Sequence, residues 1–187
     1  MGTDVTVIAN PAAAHGRLGR QIPRLLRRLA EILPGFQYLE TQKQGDGSLL
    51  ARKALESGAR LIVVAGGNGT VNEVADGLLS SGRPAQELPE LGLIPVGVGI
   101  DFARSLALPK SMDEIFARLA DNSRTRLVDA GRTQFRDPDG SARDRHFMNV
   151  ASAGISAAVV GSVNGVRRGF LPGPAVFFAK TIGATMR

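Results

Sequence analysis

The sequence predicts an α/β fold: a three-layer α/β/α domain over residues 1–123, followed by the beginning of a β-rich second domain over 124–187. Three observations carry this. Short apolar, β-branched runs alternate with stretches whose apolar residues recur at helical spacing, the pattern of a parallel sheet covered on both faces. Three of those runs end in turns built from Gly, Pro and Asn, at the strand ends where open α/β sheets bind ligands. After about residue 123 the alternation stops, and two strand-like runs are joined by a strong turn signal.

The elements follow in order. Residues 4–9 are a β-branched run halted by Asn10-Pro11, which reads as a buried strand and a turn. From Arg17 to Leu33 apolar residues fall at 18, 22, 25, 26, 29 and 33, so a helix is predicted, stopped by Pro34-Gly35. Its other face carries Arg17, Arg20, Arg24, Arg27 and Arg28. Residues 36–41 suggest a second strand and 47–58 a helix closing on Gly58. Leu61 to Ala65 is a third buried strand, followed by Gly66-Gly67-Asn68-Gly69 and a helix from Thr70 to about Leu79. A fourth strand at 91–95 ends at Pro95, and Gly97-Val98-Gly99 leads into a short helix near 101–106. A helix near 112–121 closes this part. Residues 125–136 and 144–151 are strand-like around Asp137-Pro138-Asp139-Gly140, a predicted hairpin.

Composition narrows the function classes. The chain has 187 residues, 43% of them hydrophobic, enough for one real core and part of another domain. It has no cysteine, so a disulfide framework is excluded and a reducing cytoplasm is the expected setting. No basic-then-apolar leader opens the chain, and Gly2 with Thr6 matches a lipidation pattern only across a predicted buried strand. Residues 147–166 and 169–179 are poor in charge but broken by Asn and Pro, and read as packed segments rather than membrane spans. The net charge of +6 comes from nineteen Arg and four Lys against seventeen acids. It suits an anionic partner, and it also suits a genome that writes Arg for Lys. The arginine face of the first helix could dock on anionic lipid or, as is commoner, be a solvated helix face. His15 and His146 lack metal-ligand spacing, so no metal site is expected from them.

The chemistry concentrates at Gly66-Gly67-Asn68-Gly69-Thr70, between a strand and a helix. Glycines there let the backbone approach a phosphate, and the helix N-terminus offers free N–H groups and partial positive charge. Thr70 is the expected N-cap, and Glu73, three residues on, completes a capping box. No Walker A sequence is present, and Phe102 stands where a dinucleotide fingerprint needs its third glycine.

Together with Val71, Asn72 and Glu73, this stretch resembles the Gly-Gly-Asp-Gly-Thr signature, with Asn-Glu following, of diacylglycerol-kinase-type lipid kinases. Asn10-Pro11 resembles that family's first phosphate-side turn, and Thr41 its nucleotide-contacting threonine, with Gly45-Asp46 before Leu50-Ala51. Residues 93–104 resemble its Ile-Pro-Leu-Gly-Thr-Gly-Asn-Asp-Phe-Ala-Arg motif, and Val128-Asp129 with residues 147–154 the opening of its second domain. The resemblance runs in order from residue 4 to about 165, with NAD kinases and phosphofructokinases as more distant relatives. It implies ATP and Mg²⁺ bound between a Rossmann-like domain and a β-sandwich, and transfer of the γ-phosphoryl to a hydroxyl of diacylglycerol or a similar lipid at a membrane surface. Asn10, Thr41, Gly66, Gly67, Asn68, Gly69, Thr70, Glu73, Gly97, Gly99 and Asp101 are the nucleotide-side residues it carries over. No nucleic-acid partner is implied, and the cytoplasm with the inner membrane face is the expected location.

The departures fall on polar positions. The signature's aspartate is Asn68 here, a loss of negative charge that weakens hold on a hard cation. Its threonine and asparagine in the second motif are Val98 and Ile100, and an aspartate of the second domain is Ser156. Asp101 is the best surviving acid, with helix capping as its other reading. Family members also continue beyond the matched length, with the Asp-Gly-Glu catalytic stretch in that remainder, so no residue here is assigned as the catalytic base. Phe170, Leu171, Val176, Phe177 and Phe178 would then lie uncovered, which suggests a homodimer through the second region. Turnover by this chain alone is expected to be weak or absent.

Overall fold

In the computed structural model, residues 4–97, 101–121, 125–137 and 139–149 are described. All of them fall in one compact unit, Met1–Asn149; a second unit, Val150–Arg187, lies outside the described residues, and with it Ser156 and the apolar tail.

Four parallel strands make the sheet, in the order β2-β1-β3-β4. They are β1 (Val5–Ala9), β2 (Gln37–Glu40), β3 (Leu61–Gly66) and β4 (Glu90–Pro95). The two central strands are the most β-branched, and they are the ones buried on both faces: Thr6 to Ala9 and Ile62 to Ala65 are all 0% exposed. The helices are α1 (Ala13–Ile32), α2 (Asp46–Glu56), α3 (Asn68–Leu79), α4 (Asp101–Ser105) and α5 (Met112–Ala120). Alternation along each strand sorts them into two layers. Val7, Ala9, Val63, Ala65 and Ile94 face α1 and α5, meeting Leu18, Ile22, Leu25, Leu29, Ile115 and Phe116. Ile8, Ile62 and Val64 face α2, α3 and α4, meeting Ala51, Leu55, Val71, Val74, Leu78 and Phe102. Each large side chain so buried contributes roughly 1.5–3 kcal/mol relative to exposure. The three-layer architecture is the one the sequence predicts.

The helix after β1 ends at Ile32 before Pro34-Gly35, and its regular part starts where the apolar spacing does. Ala14, His15 and Gly16 all have positive φ (52°, 59° and 78°), so the regular helix begins only at Arg17. Left-handed backbone costs a non-glycine residue roughly 1–2 kcal/mol. Two such residues in succession therefore mark stored strain at the end of β1.

Helices α2 and α3 cross at a distance that only glycine permits. A Cβ on Gly77 would lie 2.4 Å from the carbonyl oxygen of Ser48, a backbone atom that cannot swing away. Gly77→Ala is therefore expected to destabilise the fold by about 1–3 kcal/mol, the usual cost of forced overpacking. Urea denaturation checks it; an unchanged midpoint would show that the two helices can separate freely.

Beyond α5, β5 (Gly131–Arg136) and β6 (Ala142–Phe147) form the predicted antiparallel hairpin, with Thr133 opposite Arg145. The turn is closed by Gly140 N–H to the Asp137 carbonyl (2.8 Å). The bounds differ from expectation: β6 begins at Ala142 rather than 144 and ends at Phe147, and β5 begins only at Gly131. Residues 125–130 are not strand but irregular and exposed, Leu127 at 97%. A β-prone composition forms a strand only with a partner edge, and β6 is matched to β5 from Gly131 on.

Candidate functional site

The parallel register brings the strand ends to one rim: Ala9 pairs with Ala65, and Gly66 with Pro95. The turns after β1, β2, β3 and β4 therefore gather there, carrying Asn10, Thr41, the glycine turn and Gly97. Asp101 and α4 follow closely on the β4 turn. Gly99, Val98 and Ile100 lie outside the described residues.

The glycine turn enters α3 two residues earlier than predicted. Gly67 is the N-cap, with extended backbone (φ −93°, ψ −176°), and no side chain caps the helix. Thr70 is thus a residue of the first turn, not the cap, and the Thr70–Glu73 capping box does not form. Tertiary partners have claimed both side chains. The amide of Asn10 donates to Thr70 Oγ1 at 3.1 Å, joining the β1 turn to α3 across sixty residues. The Glu73 carboxylate crosses to α2, accepting from Gly45 N–H (2.9 Å) and Gly47 N–H (3.0 Å). A Cβ on Gly47 would come within 2.7 Å of Glu73 Cβ, so glycine is needed for that approach.

Left uncapped, the first amides of α3 face the rim with the positive end of the helix dipole behind them. Gly66 is needed by the fold itself, because a Cβ there would sit 2.8 Å from Thr70 Oγ1. Gly69 is different: a Cβ would meet nothing within 4 Å. That open space beside free N–H groups suits a phosphate group.

Two further loops frame the rim. Thr41 N–H donates to the Ala9 carbonyl at 2.9 Å, carrying the β1–β2 ladder past the strand end. The next residues are shaped by Asp46 Oδ2, which accepts from Gln42 N–H (2.8 Å) and Lys43 N–H (2.9 Å). The amides of Lys43 and then Gln42 hold that carboxyl below the usual carboxylate range. On the β4 side, Gly97 has φ of +116°, and a Cβ there would meet Ala14 at 3.8 Å. Asp101 is the first residue of α4 rather than the cap before it, and its exposed carboxylate accepts from Arg104 at 3.2 Å. The Asn68 carboxamide oxygen reaches the N–H of Phe102 at 3.4 Å, a long bond that links the glycine turn to α4.

The donor set fits a nucleotide's phosphates better than it fits a protein-held cation. Among the described residues no group of three or more His, Asp or Glu side chains could hold a metal. Glu73 and Asp46 are committed to backbone amides, and Asn68 is uncharged.

One part of the arrangement had gone unread in the sequence. The outer face of α3 carries Asn72, Asp76 and Ser80 at four-residue intervals. Asn72 Oδ1 accepts from Met148 N–H (3.0 Å) and Asp76 Oδ1 from His146 N–H (2.8 Å). Four helical residues rise about 6 Å, close to the roughly 6.6 Å between alternate residues of a strand. The helix thus pairs its side chains with the free edge of β6 in register. Arg145 adds an ion pair to Asp76 Oδ2 at 3.2 Å. The signal was present: Asn68, Asn72, Asp76 and Ser80 put a polar residue at every fourth position.

Residues 4–133 match the family model described as diacylglycerol kinase catalytic domain. Relatives include a protein of Chromohalobacter salexigens named "Probable lipid kinase YegS-like", 33% identical over 145 residues, 76% of this chain and 43% of that one. A diacylglycerol kinase of Staphylococcus haemolyticus is 32% identical over 79% of this chain and 41% of its own. Among solved structures, a diacylglycerol kinase from Bacillus anthracis str. Sterne superposes with a TM-score of 0.59 at 30% identity, covering 70% of this chain and 48% of that one. The chain thus spans less than half the length of these relatives.

Proposed function

The chain belongs to the diacylglycerol kinase catalytic-domain family, and from that premise we propose that it is the nucleotide-binding part of an ATP-dependent lipid kinase. The reaction transfers the γ-phosphoryl of ATP to a hydroxyl of diacylglycerol or a similar lipid, releasing ADP. The observation that carries the reading is the uncapped N-terminus of α3 behind a glycine turn, with open space at Gly69. In this reading the amides of residues 68–70 take the phosphates, while Asn10 and Glu73 hold the turn in place through Thr70 and the start of α2. Thr41 and Gly97 flank the nucleotide, and Gly99 completes the β4 turn. Mg²⁺, arriving with ATP, would neutralise phosphate charge. Asp101 begins the helix that the Asn68–Phe102 bond links to the glycine turn, and we assign it no proton-transfer step.

The same reading places the acceptor lipid at the inner face of a membrane. Among the described residues no helix is long and apolar enough to cross one. We keep the domain boundary at 123/124 and a homodimer through the second region as parts of the proposal.

Asn68 favours a second reading beside the first: a non-catalytic relative of the lipid kinases that binds nucleotide or acts through interaction. The test is titration calorimetry of the purified chain with Mg·ATP, where binding is expected, followed by a phosphorylation assay on diacylglycerol. Absence of binding would remove the nucleotide site; clear turnover would remove the impairment and with it the second reading.

A further inference from the structure

Helix α1 spends one face on the sheet and presents the other unneutralised. Leu18, Ile22, Leu25 and Leu29 are buried, none more than 8% exposed. Arg17, Arg20, Arg24 and Arg27, spaced by three, four and three residues, form one exposed strip opposite them. None of the four has an ion-pair partner among the described residues. Arg28, beside the strip, behaves differently: it pairs with Asp113 at 2.7 Å and lies 4.2 Å over the Phe116 ring, packing α1 against α5. The strip's one acid is Glu31, beyond Arg27.

We propose that this strip is an electrostatic dock for an anionic lipid bilayer. The inference rests on the lipid-kinase reading only for its choice of partner. From Arg17 to Arg27 the helix advances about 15 Å, so the charges make a line suited to a plane of headgroups rather than to one phosphate. The strip has no aromatic side chain on which a base could stack, which disfavours single-stranded nucleic acid. The apolar face is already buried in the protein, so the helix cannot insert as an interfacial helix does. Attachment is therefore purely electrostatic and salt-labile. Because α1 leaves the β1 turn at Ala13, whose N–H donates to the Asn10 carbonyl (2.9 Å), Arg17 stands at the rim of the site and the strip runs away from it.

The purified chain would be sedimented with vesicles of phosphatidylcholine alone and of phosphatidylcholine with phosphatidylglycerol. Binding is expected only to the second, weakening steeply with salt. Replacing each arginine by glutamine should cost about five-fold in affinity, and R17Q/R20Q/R24Q/R27Q several hundred-fold. The control R52Q/K53Q/R60Q, exposed positions away from α1, should bind vesicles within a few-fold of the unaltered chain. Equal losses from both sets would reduce the effect to net charge and overturn the dock. So would binding of the unaltered chain to a DNA duplex but not to vesicles. Circular dichroism and Mg·ATP titration on both variants separate this outcome from failure of the fold or of the nucleotide site.

Discussion

Replacing Asn68 by aspartate is expected to raise the affinity for Mg·ATP by roughly 1–3 kcal/mol, the range for hydrogen bonds made to a charged group. The substitution keeps shape and volume. A carboxylate oxygen can accept from Phe102 N–H as the carboxamide oxygen does at 3.4 Å. It also places negative charge in the first turn of α3, where the helix dipole favours it by about 0.3–1 kcal/mol. The sign of the effect on ligand depends on the cation. With Mg²⁺ present, anionic oxygen is the harder ligand and affinity rises. With Mg²⁺ chelated, the new charge repels the phosphates and affinity falls below that of the unaltered chain. Calorimetry with and without Mg²⁺ reads both arms. An unchanged affinity in Mg²⁺ would mean that the glycine turn does not sit beside the metal in this protein.

Asp76→Ala is expected to destabilise the fold by roughly 2–4 kcal/mol. The carboxylate is 6% exposed and accepts from His146 N–H at 2.8 Å, with the His146 ring nitrogen Nδ1 at 3.3 Å. Alanine leaves that backbone donor without its acceptor. The Arg145 arm counts for less, since its side chain is 46% exposed and water replaces the lost partner. Asp76→Asn keeps an acceptor and should cost about half as much. Urea denaturation gives the magnitude, and hydrogen exchange at the His146 amide shows whether the hairpin lets go first. A variant within about 0.5 kcal/mol of the original would show that the hairpin is not held by α3.

Much of the fold was legible because its signals are local or periodic. The β-branched runs at 5–9 and 61–66 and the leucine spacing of α1 fix strand, helix and face without reference to the rest of the chain. The rim followed from parallel order, since it gathers whatever ends each strand. What escaped depends on partners distant in sequence. Thr70 and Glu73 had the spacing of a capping box, but Asn10 and the amides of Gly45 and Gly47 offered bonds that local reading cannot see. The stretch 125–130 had strand composition and no partner edge. Asp76 carries no local signal of its role, which depends on β6 lying beside α3. In each case the outcome turned on a partner distant in sequence, present for Thr70, Glu73 and Asp76 and missing for 125–130, against local preferences of about 1 kcal/mol.

The strand order also governs when such a site can exist. Strand β1 ends up in the middle of the sheet, flanked by β2 and β3, both of which follow it in the chain. Its turn reaches Thr70 across sixty residues, so no fragment short of α3 can shape the phosphate rim. Loop closures of this length are slow relative to helix formation. The rim can therefore take shape only once β3 and α3 are in place beside β1. A ligand that recognises it binds the native state alone, and its occupancy reports on the folding of the whole unit rather than on any piece.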